Sequence, residues 1–487
     1  MMSKMLLLLL VLYSLMFAQA PEVTWFERLF WFGSEACVSI VDANSQLYMI
    51  GRIDSNFSVV ALDYDGSVVW TKIYGGSEYD NCYDGSATSD GGLILAGGTR
   101  SYGAGNDDVW LVKLDSEGNQ EWNSCFGTSD REYANSVRQT FDGGYIAVGS
   151  QLIWHENLDV YEHNAYMVKA DFEGNLEWEK VFTGDYALSG YSIIETSDSC
   201  YLFSGVADLQ KSTLFELLLV KTDSNGNIIW QNTYTYSSAY DCAGYSVIEA
   251  SDGGFVTVGH VAISGSTDYE IYVLKTDSDG NEQWNQKFGG GTWYNSAYSV
   301  IETFEGGYAV SGTIWDQTDS PECFLRKIDD DGNTEWDCIV DGSSFPEHGK
   351  ALTQLSDGGY VVGGYVVGDT TFVNDFFIAR FAPPVGIEEE SILESSNITI
   401  NAISPNPFYS SVDISISLQE PTDIIISIFD LSGRRIADIL TGSIQAGETT
   451  VNWDGRNSIG NYTPSGVYIL RVSSDGTEMT EKLAVIR

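Results

Sequence analysis

A tryptophan returns along this chain at a long, nearly fixed interval. Trp25, Trp70, Trp122, Trp178, Trp230, Trp284 and Trp336 stand 45 to 56 residues apart. Two further anchors share the interval. One is an Asp-Gly-Gly turn at Asp90, Asp142, Asp252 and Asp357, with weaker copies at Asp42, Asp198 and Glu305. The other is Asp-x-x-Gly, usually followed by Asn, as in Asp115 to Asn119, Asp171 to Asn175, Asp223 to Asn227, Asp277 to Asn281 and Asp329 to Asn333. Self-similarity at this period means one supersecondary unit repeated, each unable to bury its apolar face alone.

Each interval holds four strand candidates. Around Asp142 they are Ser136 to Thr140, Tyr145 to Gly149, Ala165 to Ala170 and Leu176 to Val181. Gly in the connecting turns supplies the positive φ that tight hairpins need. Four strands in roughly 50 residues is the period of a propeller blade. Seven units are counted, and the last has three strands. Its missing Trp strand stands at the other end, over Val23 to Leu29, which predicts a closed ring. An open solenoid is the alternative. The expected fold class is all-β: a seven-bladed β-propeller over residues 21–381, then a β-sandwich.

Charge narrows the function. Sixty-nine acidic residues face 24 basic ones, a net charge of -45. Nucleic-acid binding is excluded, because it requires Lys and Arg to displace phosphate counterions. Residues 1–20 read as a signal peptide, with Lys4, an apolar run from Leu6 to Phe17, and a small-x-small cleavage site at Ala18-Gln19-Ala20. No other segment is apolar enough for a transmembrane span. Export to an oxidising compartment permits disulfides. Seven Cys leave at least one unpaired. Cys323 and Cys338 flank a turn almost symmetrically and could pair, with buried free thiols as the alternative.

The stretch from Asp357 to Phe381 resembles the bacterial delta-60 type of repeat. The Asp-x-x-Gly-x-x-x-Trp element is similar to quinoprotein repeats and, out of register, to sialidase Asp-boxes. These resemblances cover residues 21–381 and imply architecture, not a site.

Residues 382–397 (Pro383-Pro384, then Glu and Ser) read as a linker. Beyond them, over 398–487, period-two strands recur at Val412 to Leu418, Ile424 to Phe429 and Tyr468 to Val472. Pro405-Asn406-Pro407-Phe408, Leu431-Ser432-Gly433-Arg434, Trp453-Asp454-Gly455 and Ser465-Gly466-Val467-Tyr468 follow in order, before a basic final strand from Lys482. This set resembles the type A C-terminal sorting domain of type IX secretion substrates, an immunoglobulin-like module. The resemblance implies a partner in the type IX secretion machinery. It also implies a location outside the cell or on the outer surface of a Gram-negative bacterium.

The connections opposite the uniform turns vary in length and composition, and function concentrates in such loops. They carry Tyr79, Tyr102, Tyr133, Trp154, Tyr186, Tyr240, Trp293, Tyr294 and Trp315, with Arg52, Arg100 and Arg131 in neighbouring units. Aromatic faces beside polar groups suit sugar rings, and equally a protein partner or the packing of their own loops. The expected function is therefore exported binding or adhesion, with a glycan or surface protein as ligand. A glycan-active hydrolase or lyase is the second reading and a structural surface component the third. No matched catalytic set stands out, and no cofactor is implied. His155, Glu156 and His163 carry ligand atoms but match no zinc spacing. Asp277-Ser278-Asp279-Gly280-Asn281 and Asp329 to Asn333 echo the start of a calcium loop without its closing Glu. They are expected to be hairpin turns, with weak calcium binding as the alternative.

Overall fold

The computed structural model describes residues 20–29, 35–156, 160–183, 188–208, 215–236, 239–263, 268–289, 294–315, 321–340, 347–367, 374–383, 398–404, 408, 411–418, 420–430, 435–457, 462–463, 466–474 and 477–485. The chain divides into two compact units, Met1–Gly386 and Ile387–Arg487. Both are all-β.

The first unit contains seven four-stranded antiparallel sheets among the described residues. Sheet 1 spans 35–74, sheet 2 80–126, sheet 3 131–182, sheet 4 188–234, sheet 5 239–288 and sheet 6 296–340. In each of these, four consecutive strands pair in chain order. Sheet 7 takes Glu347–Gln354, Tyr360–Val367 and Asn374–Phe381, and its fourth strand is Val23–Leu29 from the start of the chain. Trp25 there faces Arg380, the register that Trp122 and Lys113 adopt in sheet 2. The first strand of every sheet packs against the first strand of the next, and that of sheet 7 against that of sheet 1. The open-ended solenoid is excluded by this pairing.

Why the Trp interval exists is now a packing statement. The Gly of each Asp-x-x-Gly turn sits over the Trp of the preceding sheet. A Cβ on Gly226 would fall 2.9 Å from the Trp178 ring, and one on Gly118 would fall 2.5 Å from Trp70. These glycines also have positive φ, 74° at Gly226 and 76° at Gly118, where a side chain is strained. Trp122, Trp178, Trp230 and Trp336 also meet the aromatic that opens the second strand of the next sheet, as in Trp122 with Tyr145 at 5.3 Å and Trp336 with Tyr360 at 5.7 Å. The inter-sheet cores between are aliphatic, with Val, Ile, Leu and Ala almost wholly buried.

A second repeated device ties the uniform turns. Lys113, Lys169, Lys221 and Lys275 are buried on the third strand opposite the Trp. They reach the turn carboxylates Asp90, Asp142, Asp198 and Asp252 at 2.7 to 3.1 Å. Burial pushes the Asp90 carboxyl up, but hydrogen bonds from Lys113, Thr88 and the Gly92 N–H outweigh it and hold it at about 2. Asp198 is held at about 2 in the same way by Lys221 and Thr196. Glu and Gln side chains then bridge sheets. The Ser197 N–H donates to Glu249 at 2.7 Å and the Phe304 N–H to Gln354 at 2.9 Å.

Cys323 and Cys338 are both free thiols. Cys323 lies opposite Val340 and Cys338 opposite Leu325, so the two are diagonal neighbours rather than a facing pair. The turn register, with Ile328 opposite Thr334, already offsets them by one residue, and the irregularity between Lys327 and Ile328 adds a second.

The second unit is a sandwich of a three-stranded sheet (Ile398–Ser404, Val412–Leu418, Gly447–Trp453) and a four-stranded sheet (Arg435–Ile444, Thr422–Asp430, Gly466–Ser474, Thr477–Val485). Alternate residues of Val412–Leu418 are buried, the period-two pattern of a half-covered strand. Its aromatic centre is Trp453, edge-on to Phe408 at 5.5 Å and Tyr468 at 5.6 Å. Gly455 turns at φ 69°, and Trp453 Nε1 donates to the Arg456 carbonyl at 2.9 Å. Lys482 is exposed on the last strand. Gly466 opens the strand that runs to Ser474, whereas Pro405, Asn406, Pro407, Gly433 and Arg434 lie outside the described residues, as do residues 1–19. Among the described residues, no helix is long and apolar enough to cross a membrane.

Candidate functional site: a tyrosine collar in the channel

The first strands of all seven sheets line one open cavity of about 690 Å³. Each of these strands breaks register at one equivalent point, and that of sheet 5 breaks it once more between Ala239 and Asp241. The extra residue is Val38, Tyr83, Asn135, Tyr191, Tyr245, Tyr298 and Lys350 in sheets 1 to 7. A β-bulge re-aims the side chain it carries, and all seven bulge residues line the cavity. They sit toward the end opposite the Asp-Gly-Gly turns.

Four of the seven are tyrosines, and three of them are contiguous. Tyr191 meets Tyr245 at 5.4 Å, and Tyr245 stacks on Tyr298 at 5.1 Å. Lys350 completes the row, its Nζ 3.1 Å from the Tyr298 ring centre. That is a cation–π contact. Across the channel, Tyr83 meets Tyr133 at 5.7 Å. Burial raises the phenol of Tyr191 to about 12 and pushes those of Tyr83, Tyr245 and Tyr298 up as well. All four stay neutral near pH 7 and can donate as well as accept hydrogen bonds. Burial lowers the Lys350 ammonium to about 7, and lowers His348 on the same strand to about 4 with help from the Lys350 charge.

One residue deeper, a ring of small polar groups stitches the sheets. Ser39, Ser136 and Ser192 accept from the Gly85, Ile193 and Val247 N–H groups at 3.3 Å. In sheet 2 an aspartate replaces the serine. Asp84 accepts from Ser39 at 2.6 Å, Ser136 at 2.9 Å and Arg138 at 2.6 Å. This carboxylate–guanidinium pair is saturated within the wall. Deeper still, Ile194, Ile248 and Ile301 make that side of the channel apolar.

The loop residues singled out from sequence fall into three groups. Arg100 and Arg131 converge on Asp107, at 2.6 and 2.7 Å, and Arg100 lies 5.8 Å over Tyr79. Both are neutralised by Asp107, and Arg52 donates to the amide oxygen of Asn81 at 3.1 Å. Tyr102 packs on Trp110 at 5.3 Å and donates to the Gly75 carbonyl, so it supports its own loop. Tyr294 stacks on Tyr269 at 4.7 Å, and the half-buried Trp315 anchors its backbone to Asn295. Trp154 stands on a strand rather than a loop. The second and third strands of sheet 3 run on to Tyr145–His155 and Val160–Ala170, which sets Trp154 beside Tyr161 at 4.7 Å. Tyr186, Trp293 and the side chain of Tyr240 lie outside the described residues.

In that long hairpin His155 contacts Glu162 at 2.8 Å, while His163 faces Leu152 three register positions away. Asp277 accepts from the Asp279 and Asn281 N–H groups and from the Asn281 side chain, and Asp329 repeats the pattern. These carboxylates serve their own turns. Among the described residues, no cluster of three or more His, Cys, Asp or Glu is placed to hold a metal ion.

Residues 404–478, within the sandwich, match the family model of the FlgD Ig-like domain. No curated protein matches the chain. Solved structures similar to it include a fungal alcohol oxidase of the AA5 family in complex with copper. That pair has 13% identity and a TM-score of 0.48 over 96% of this chain and 100% of that one. PorZ, a surface component of the type IX secretion system of Porphyromonas gingivalis, has 15% identity and a TM-score of 0.42 over 92% of this chain and 59% of its own. The polysaccharide lyase Uly1 has 10% identity and a TM-score of 0.45 over 71% and 90%.

Proposed function

We propose that the chain is an exported binding protein whose seven sheets form a closed seven-bladed propeller and take a glycan at the tyrosine collar. The observation that carries this reading is the row Tyr191, Tyr245, Tyr298 and Lys350, placed side by side by bulges in four successive sheets and open to the cavity. Sugar rings present apolar C–H faces and hydroxyl rims. Stacked phenols meet the first, and neutral phenol hydroxyls meet the second. The hydroxyls of Tyr83, Tyr191 and Tyr245 make no hydrogen bond to other described residues, which leaves them for a ligand. A cavity of about 690 Å³ holds a short oligosaccharide.

The organisation proposed around it is a signal peptide over 1–20, the propeller over 21–381, a linker over 382–397 and the sandwich over 398–487. The last directs type IX secretion, to the outer surface or beyond it, of a Gram-negative bacterium. The FlgD Ig-like match and the sorting-type motifs around Phe408, Gly455 and Tyr468 support this part.

A glycan-active enzyme is the second reading, favoured by one observation. Lys350 titrates near neutrality beside Tyr298, as a general base would. A glycan-array screen of the mature chain, followed by product analysis on each hit, separates the two. Binding without turnover supports the collar as a binding site. Product formation replaces that reading with catalysis, and silence on every glycan contradicts both.

A further inference from the structure

The collar is not electrically uniform. The protein carries 69 acidic against 24 basic residues, and most described cations in the first unit already have a carboxylate, Lys72 and Lys180 at the turn end bonding instead to the amides of Asn119 and Asn227. Arg138 has Asp84, Arg100 and Arg131 share Asp107, Lys287 has Glu270, and the buried strand lysines have the turn aspartates. Lys350 departs from this pattern. Among the described residues it has no carboxylate partner, and its contact is the face of Tyr298. Arg52, in the adjacent sheet 1, is bonded to an amide rather than a carboxylate. Tyr365 stacks on His348 at 4.7 Å and lies within electrostatic reach of both Tyr298 and Arg52. Two cations without carboxylates thus border one sector of the mouth, between sheets 6, 7 and 1.

We infer that this sector takes an anionic sugar unit, bearing a carboxylate or a sulfate, whose ring lies along Tyr298 and Tyr245 and whose charge meets the Lys350 ammonium. The inference rests on the glycan reading above and names its substrate class. A neutral sugar would gain the stacking alone. An anionic one also supplies the counter-charge that the fold withholds from Lys350, in a partly desolvated place where such a pair is stronger than in water.

The groups facing Lys350 define its pH response. They are Tyr298 and Tyr245, Tyr365, His348 and Arg52. Burial keeps the phenols neutral and lowers His348 to about 4. Lys350, lowered to about 7, is the group whose charge changes between pH 6 and 8, and it loses that charge as pH rises. An anion bound to the ammonium form is therefore expected to bind about tenfold more weakly near pH 8 than near pH 6.

Titration calorimetry on the mature full chain tests this with three probes: tetragalacturonate, a sulfated galactose tetrasaccharide, and neutral galactotetraose. The expected result is that at least one anionic probe binds about tenfold or more tighter than the neutral one, with the stated pH slope. Whichever anionic probe binds identifies carboxylate or sulfate. Lys350→Met should reduce that probe to the neutral level. Lys350→Arg should retain binding and flatten the pH slope, and it keeps the test open where Lys350→Met fails to fold. Equal binding of all three probes, unchanged in the variants, overturns the anionic assignment and leaves the glycan reading intact. No binding by any probe overturns both.

Discussion

The two ends of the same seven strands are built on opposite rules. At the turn end each sheet repeats the last. In sheets 2 to 5 an Asp is held by a buried Lys, an Asp-x-x-Gly turn bonds itself, and a Gly lies on the preceding Trp. At the channel mouth the equivalent position is Val, Tyr, Asn, Tyr, Tyr, Tyr and Lys in turn. Polar groups at the first end are spent on one another, whereas Tyr83, Tyr191, Tyr245 and Lys350 at the second line the cavity without a carboxylate or hydrogen-bond partner among the described residues. The bulge makes this division possible, because it frees one side chain per sheet from the packing pattern without breaking the ladder on either side. Regularity marks what the repeat needs to stand, and irregularity marks where the proposed site lies.

The comparison breaks most directly at the turn end. Trp178→Ala removes the ring beneath Gly226 and beside Tyr201, and should cost about 3 kcal/mol of stability while leaving the collar residues in place. Denaturant unfolding measures this. Gly226→Ala tests the same contact from above. A methyl meets Trp178 and Lys180 at a positive φ, so a loss of about 1–3 kcal/mol is expected. A change smaller than half a kcal/mol in both variants would remove the Trp–Gly contact from the account.

At the mouth the expected effects reverse. Tyr245→Ala and Tyr298→Ala should each weaken glycan binding about tenfold or more, with melting temperatures falling far less than in Trp178→Ala. Calorimetric titration beside thermal melts separates the two effects. Equal loss of stability and binding would make the collar another part of the packing.

Acid sharpens the contrast by a smaller margin. The carboxyls of Asp90 and Asp198 are lowered from 3.8 to about 2 in the folded chain. Their contribution to stability is complete above about pH 4 and is lost as pH falls toward 2, because the unfolded chain takes up protons first. Both aspartates are more than a third exposed, so solvent screening reduces the effect. Melting temperature should fall between pH 4 and 2, and Lys113→Met with Lys221→Met should flatten that slope. Substitutions in the collar should not.

Much of the fold was legible because its devices have fixed spacing. The Trp interval, the Asp-x-x-Gly turns and the stray Trp25 strand predict four-stranded units and the pairing of Val23–Leu29 with Asn374–Phe381, which the sheet topology contains. The lysine two residues before each Asp-x-x-Gly turn was equally periodic. It went unread because a Lys on a strand ordinarily lies in water, and these are buried against carboxylates. The collar was harder to read. A bulge leaves no mark in residue spacing, and Tyr-Ser-Val-Ile-Glu at Tyr245 and Tyr298 looks like any inner strand. Sequence placed the site in the loops, where Tyr79, Arg100 and Arg131 do gather but around Asp107. The Cys323–Cys338 facing pair was off by two residues, one from the register of the turn itself and one from the irregularity between Lys327 and Ile328.

The central claim is that the ligand sits on the bulge residues. A crystal structure of the mature chain with its tightest-binding oligosaccharide tests it most directly. The account expects a sugar ring stacked along Tyr245 and Tyr298, with its polar substituent at Lys350. A sugar bound instead on the Trp154–Tyr161 hairpin, or on the sandwich, with the channel left to solvent, would contradict it.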